Sequence, residues 1–251
     1  MHRQELITYL DDYLRVEEIK DASQNGLQVE GPGEVTKVAF AVDGCQAAFE
    51  QAIAAEAQLL IVHHGIFWDK PLRLIGPYFR RVKMLIEGGC GLYAVHLPLD
   101  IHPEVGNNAE LARVLELEDT RTFGEYHGIE IGIGGVLDPP LPLETLVERL
   151  ALATGEPPVR VLAHGPERAS QVGCISGGAA MMVDQVAGAG FDTFVTGETS
   201  HSFFHYAIEW RLNVIYGGHY GTETLGVKAL ARHLGKKFGL ETTFLGVPTG
   251  M

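Results

Sequence analysis

The sequence predicts an α/β protein made of two related halves, and three observations carry that reading. Residues 35–42 alternate and are rich in β-branched side chains, the Ala-rich stretch 47–55 has helical character, and 58–62 is a short apolar run, which together read as strand, helix, strand. This pattern returns without gaps 134 positions later: Phe40-Ala41-Val42-Asp43-Gly44 meets Cys174-Ile175-Ser176-Gly177-Gly178, Gln51 meets Gln185, and Ala55 meets Ala189. A second echo sets Leu92-Tyr93-Ala94-Val95-His96 against Ile215-Tyr216-Gly217-Gly218-His219. Strand-helix-strand units lay their strands in parallel and leave the loops at the strand ends open for chemistry. The two halves are drawn at roughly 1–120 and 121–251.

The remaining elements follow from periodicity and punctuation. Leu6, Ile7, Leu10 and Leu14 recur at helical intervals, so 3–15 is read as an amphipathic helix on the core, followed by a turn at Ser23-Gln24-Asn25-Gly26. Between the halves, Gly132, Gly134, Gly135 and Asp138-Pro139-Pro140-Leu141-Pro142 are read as turns, ahead of a helix over 143–153. The chain runs out through Lys236-Lys237 to a last strand at 242–245.

Composition narrows the class of function. With 251 residues the chain can bury a sizeable core as one large domain or two packed lobes. Cys45, Cys90 and Cys174 are odd in number and far apart, which indicates neither a disulfide framework nor a zinc ribbon and fits a reducing compartment. Lys and Arg number 19 against 32 Asp and Glu, and the resulting net charge of −13 repels phosphate backbones, which disfavours direct binding of nucleic acid. The first 14 residues are charged and lack the apolar core of a signal peptide, and no apolar run reaches the roughly 18 residues of a membrane span. A cytoplasmic location with no membrane contact is the default expectation.

The residues that carry chemistry sit where predicted strands end. His63 and His64 close the run 58–62 side by side, placed to turn both imidazoles into one cavity beyond the last paired residue. His96 ends the next strand, and the loop Leu97-Pro98-Leu99-Asp100-Ile101-His102-Pro103 carries Asp100, either a carboxylate bridging two cations or a turn-capping residue. Asn107-Asn108 is read as the cap of the helix holding Leu111 and Val114, with no chemistry. His219 and Glu223 stand four apart where a strand gives way to a helix, a spacing that aligns both on one face, although Glu223 also suits a first-turn carboxylate. Glu198, His201 and His205 form a third cluster at the strand end equivalent to the histidine pair, His205 among Phe203, Phe204 and Tyr206. Phe67 and Trp68 either stack on a planar substrate or anchor their loop.

Mixed imidazole and carboxylate donors suit zinc, iron or manganese better than calcium or magnesium. Two such ions sharing a carboxylate, about 3.5 to 4 Å apart, make water nucleophilic near neutral pH, so metal-dependent hydrolysis is the economical reading. No phosphate-binding Gly-x-x-x-x-Gly-Lys loop, Gly-x-Ser-x-Gly elbow or His-Glu-x-x-His helix competes with it.

The stretches Asn25-Gly26-Leu27-Gln28-Val29-Glu30-Gly31, His63-His64-Gly65-Ile66-Phe67-Trp68, His96-Leu97-Pro98-Leu99-Asp100-Ile101-His102-Pro103-Glu104 and Gly218-His219-Tyr220-Gly221-Thr222-Glu223, in this order, resemble the GTP cyclohydrolase 1 type 2 homologues, or Nif-three-like proteins, from end to end. The resemblance implies two intertwined α/β repeats with mixed sheets, assembled as a ring-shaped homohexamer with metal sites facing inward. It implies a dinuclear site held by His63, His64, Asp100, His219 and Glu223, with His96 close by. Where close relatives have a second histidine after His219, this chain has Tyr220. The family name implies opening of the GTP ring by attack at guanine C8, with Glu198 or His201 carrying protons. Two further expectations stand beside it: a ring-shaped adaptor, DNA-associated or regulatory, whose metals are structural, and a phosphoesterase for a small nucleotide or metabolite.

Overall fold

Leu6, Ile7, Leu10 and Leu14 do fall on one buried face of α1 (Arg3–Leu14), which starts where the His2 side chain accepts a hydrogen bond from the Gln4 amide and ends at Arg15 in the left-handed region. The computed structural model, which describes residues 1–251, divides into two compact units, 1–99 with 227–247 and 100–226 with 248–251. This is a partition by packing, whereas the halves at roughly 1–120 and 121–251 express a repeated sequence pattern.

In the first unit α1 is followed by β1 (Gly26–Val29), β2 (Lys37–Asp43), α2 (Gln46–Ala54), β3 (Leu59–His64), α3 (Pro77–Glu87), β4 (Gly91–Ala94) and α4 (Leu97–Asp100), whose last residue begins the second unit. β1 occupies ground where only a turn was expected: the chain leaves the turn at Asn25 and immediately pairs antiparallel with β4, Gly26 against Ala94 and Leu27 against Tyr93. β2, β3 and β4 are parallel and buried on both faces, so the stretch 35–42, expected to alternate, is instead continuously buried from Val38 to Val42, like the apolar runs of β3 and β4. Phe49, Leu60, Val62, Leu85 and Leu92 form the centre of one core cluster of this unit. Burying each such side chain contributes on the order of 1.5–3 kcal/mol.

The second unit contains α5 (Asn107–Val114), β5 (Glu118–Tyr126), β6 (Ile129–Pro142), α6 (Leu143–Thr154), β7 (Arg160–Ala163), β8 (Arg168–Cys174), α7 (Val183–Gly188), β9 (Thr193–Thr196), α8 (Phe204–Glu209) and β10 (Asn213–Tyr216), with short 3-10 turns at Ala180–Met182 and His201–Phe203. Its sheet runs β5-β6-β8-β9-β10-β7, parallel through β8, β9 and β10 and antiparallel outside them. α9 (His219–Phe238) then carries the chain back to the first unit, where β11 (Glu241–Phe244) pairs in parallel with β2 and completes a sheet of order β1-β4-β3-β2-β11. Both sheets are mixed, as the resemblance implied.

The internal echo is visible in the registers. Val38 pairs with Leu59, and Val172 pairs with Thr193, so both members of the pair move by the same 134 positions. The second echo is displaced by one residue: Leu60 pairs with Leu92 while its counterpart Phe194 pairs with Val214, which equates Leu92 with Val214 and not with Ile215.

The glycine-rich stretch corrects a sequence expectation. Gly132, Gly134 and Gly135 lie inside the 14-residue strand β6, not in turns, and the proline segment continues the strand beyond a register shift between Val136 and Leu141. The glycines are there to admit rings: a Cβ at Gly134 would lie 2.1 Å from Phe191 Cζ, and one at Gly132 would lie 2.7 Å from the Phe123 ring. The real turn is His127-Gly128, both at positive φ (52° and 86°), the two-residue connection that suits the twist of the β5–β6 hairpin. No disulfide forms, and Cys90 and Cys174 are buried, with burial pushing the Cys90 thiol up to about 12. No helix is long and apolar enough to cross a membrane.

Gly134→Ala should therefore lower the unfolding free energy by about 1–3 kcal/mol in urea titrations. The loss should shrink when the substitution is made in a Phe191→Leu background; an equal loss in both backgrounds would show that the ring is not what the glycine accommodates.

Candidate metal centre

In the first unit the donors gather at the carboxyl ends of β3 and β4. His63 and His64 are the last residues of β3, not residues beyond it, since His64 still pairs with Asp43. Their ring centroids are 4.6 Å apart, that of His96 lies 5.1 Å from His63 and 5.6 Å from His64, and one ring nitrogen from each of the three falls within 4.8 Å of the others. Each ring is held by its Nδ1: His63 by the Val95 carbonyl at 3.0 Å, His64 by Asp43 Oδ1 at 2.8 Å, and His96 by Asp21 Oδ1 at 2.9 Å. A carbonyl and a carboxylate only accept, so Nδ1 carries the proton in each ring and Nε2 keeps the lone pair that a cation requires.

Asp21 organises this arrangement and was missed in the sequence. Its carboxylate accepts from the Ser23 and Leu97 amides, the Asn25 side chain and His96, while Asn25 Oδ1 accepts from the His96 amide at 2.8 Å. Burial pushes its carboxyl upward, but the hydrogen bond and charge of His96, with help from Asn25 and Ser23, pull it down to about 2. Gln28 bonds the Ile66 amide and the Gln24 and Phe67 carbonyls, so the Asn25-to-Gln28 stretch fastens the loop after the histidines. Phe67 packs on the core and Trp68 donates to the Gly65 carbonyl while meeting His96 edge to face at 5.1 Å, which makes both loop anchors.

The second unit holds Asp100, Glu198, His219 and Glu223. Asp100 is buried, and its Oδ1 accepts from Asn107 and from Ser176, both at 2.9 Å. Asn107 and Asn108 are thus not caps, as the sequence suggested, but fully buried brackets: Asn107 reaches Asp100 and the Gly226 amide, and Asn108 reaches the Ser176 amide and the Ile131 carbonyl. His219 and Glu223 meet across the first turn of α9 at 3.0 Å, the contact their spacing anticipated, and Glu198 takes His219 Nδ1 at 2.6 Å. Burial lowers the His219 pKa, but the bonds and charges of Glu223 and then Glu198 prevail and raise it to about 9. Gly177, at φ +64°, leaves room for this group, because a Cβ there would lie 2.3 Å from Glu223 Oε1.

His201 lies apart from these contacts, lining a cleft with Arg160 and Tyr216. His205 is exposed on α8, its ring meeting that of the half-buried Phe204 edge to face at 5.3 Å. Of the missed residues, Asp43 ends β2 and Ser176 lies two positions past β8, the kind of strand-end polar position that the motif histidines also occupy, whereas Asp21 and Asn107 carry no such local signal.

Imidazoles with Nδ1 tied down, and the Asp100 carboxylate bracketed by an amide and a hydroxyl donor, are groups that could hold a metal ion, and no sulfur is among the grouped donors. The family model described as Duf34/NIF3 (NGG1p interacting factor 3) matches residues 1–249. The chain is 43% identical to a GTP cyclohydrolase 1 type 2 homolog of Pyrococcus abyssi over the full length of both, and 42% identical to one of Deinococcus radiodurans over 99% of this chain and 94% of that one. The crystal structure of a Thermus thermophilus protein, 45% identical, superposes with a TM-score of 0.88 over 100% of both chains. The chain belongs to the Duf34/NIF3 family.

The His219 pair with Glu198 and Glu223 gives a titration test. Because the folded pKa is raised, the stabilisation is complete below the ordinary histidine value of about 6.5 and is lost as pH rises through about 9. In metal-free protein the His219 ring resonances should titrate near 9, and Glu198→Gln should bring them down; an unshifted midpoint in the variant would remove Glu198 as the partner of Nδ1.

Proposed function

We propose that the chain is a dinuclear metal-dependent hydrolase of a nucleotide or related small molecule, with His63, His64, Asp100, His219 and Glu223 as ligands of two ions. The observation that supports it best is the common arrangement of the donors. His63, His64, His96 and His219 each have Nδ1 engaged by a carbonyl or carboxylate, which orients the ring for ligation through Nε2. Two relatives carrying the name GTP cyclohydrolase 1 type 2 homolog point to guanine ring opening as the first reaction to test. Zinc, iron or manganese in pairs supplies a polarised substrate oxygen and a water of near-neutral pKa.

The protein's own side chains have separable roles in this reading. Asp43, Asp21 and the Val95 carbonyl aim the imidazoles of the first unit; Asn107 and Ser176 fix Asp100. Glu198 accepts from His219 Nδ1 and so aims that ring, as the other acceptors aim theirs. Glu198 or His201 carries the protons of the reaction in this reading. By family likeness the chain forms a homohexameric ring, which light scattering would read as six times the chain mass; a monomer or dimer at micromolar concentration would remove the ring.

Protein purified without chelator should contain close to two ions per chain, and with GTP it should release formate and change the purine absorbance. Asp100→Ala and His219→Ala should each lower metal content and reduce turnover by at least about a hundredfold. Full occupancy with no change in GTP would reject the reaction, and wild-type occupancy in both variants would reject the ligand set. Because His219 holds a proton up to about pH 9, metal uptake at pH 7 should release a proton and tighten as pH rises.

A further inference from the structure

The family of reactions proposed above leaves open what part of a substrate the second unit recognises. Outside the donor clusters, one cleft of about 250 Å³ is lined by Arg160, Leu162, Thr199, Ser200, His201, Phe204 and Tyr216. It lies at the edge of the sheet where β9 and β10 end, because Arg160 opens the antiparallel strand β7 opposite Tyr216, the last residue of β10. Open α/β sheets bind ligands at the carboxyl ends of their parallel strands. The cleft shares its chain segments with the chemistry: Thr199 follows Glu198 directly, and Tyr216 stands three residues before His219.

Arg160 distinguishes this cleft from an ordinary surface dent. Its exposed guanidinium makes no hydrogen bond or ion pair, as is also true of Arg73, Arg80 and Arg211, whereas Arg3, Arg15, Arg113 and Arg149 are each held by a glutamate and Arg121 and Arg168 by carbonyls; among the unbonded arginines Arg160 is the one that lines this cleft. In a chain with 13 more acidic than basic residues, an arginine left uncommitted on a concave wall is set for an anion from outside. Its charge is felt there, since it partly offsets the rise that burial imposes on the Tyr216 phenol. The Thr199 and Ser200 hydroxyls and the His201 imidazole add donors, while Leu162 and Phe204 supply an apolar wall. Ligand pockets for whole drug-sized molecules run about 300–1,000 Å³, so this smaller volume suits one arm of a substrate.

We propose that this cleft, with Arg160 as the principal contact, binds a phosphate group of the substrate, which makes the substrate of the hydrolase proposed above a phosphorylated small molecule. Guanidinium and phosphate match in a two-point hydrogen-bonded geometry, and the flanking hydroxyls satisfy the remaining oxygens. His201 then contacts the same substrate from the loop after Glu198.

Binding can be measured without turnover. Metal-free protein is titrated calorimetrically with inorganic pyrophosphate, GTP and guanosine. Pyrophosphate and GTP should bind, guanosine should bind at least about tenfold more weakly than GTP, and Arg160→Ala should weaken both phosphate ligands by about tenfold or more while leaving guanosine unchanged. Arg160→Lys should recover part of the loss, and the His219 resonances of both variants should match the wild type, which certifies that they fold. Absence of pyrophosphate binding, equal affinities for GTP and guanosine, or unaltered phosphate affinity in a folded Arg160→Ala protein would each overturn the assignment. Arg160-dependent phosphate binding by a protein that leaves GTP intact would reject the reaction proposed above and leave the cleft standing.

Discussion

An imidazole accepts a cation only through a nitrogen whose lone pair is available and aimed, so whatever fixes Nδ1 decides what Nε2 can do. In this protein that constraint is imposed four times by different chemistry: a backbone carbonyl on His63, and the carboxylates of Asp43, Asp21 and Glu198 on His64, His96 and His219. The four holders come from four segments of the chain, which the two sheets bring to their strand ends. The fold can be understood as the means of keeping these acceptors in place. The parallel strands supply rigid ends, and the buried asparagines and the Asp21 clamp carry that rigidity out into the loops.

The same logic explains the glycines. Two functions recur, and only one concerns backbone conformation. Gly177 combines a left-handed φ with a close approach to Glu223, so a side chain would strain the turn and push the carboxylate away. Gly132 and Gly134 sit in a strand and leave room for Phe123 and Phe191. Sequence alone gives both kinds the same letter, which is why β6 was read as a succession of turns.

Other parts of the molecule were legible because their signals are local. Helical spacing located α1 and α6, β-branched and apolar runs located β2 and β3, and the 134-residue echo anticipated a register that the two units reproduce pair for pair. His219 and Glu223 could be paired from a four-residue spacing because a helix converts that spacing into contact. Asp21, Asp43, Asn107 and Ser176 were not legible as site residues, since each acts on a group between 7 and 76 positions away. The one-residue displacement of the second echo has the same origin: similarity of letters located the strand, and only hydrogen-bond register assigns the partners.

The clamp at Asp21 and Asn25 has a consequence for the order in which the site is made. These two side chains are synthesised early but bind His96 and Leu97, which emerge more than 70 residues later. A nascent chain can therefore form helix α1 long before it can orient His96, and a product initiated downstream of Asn25 would retain every strand of the first sheet while losing the grip on that ring.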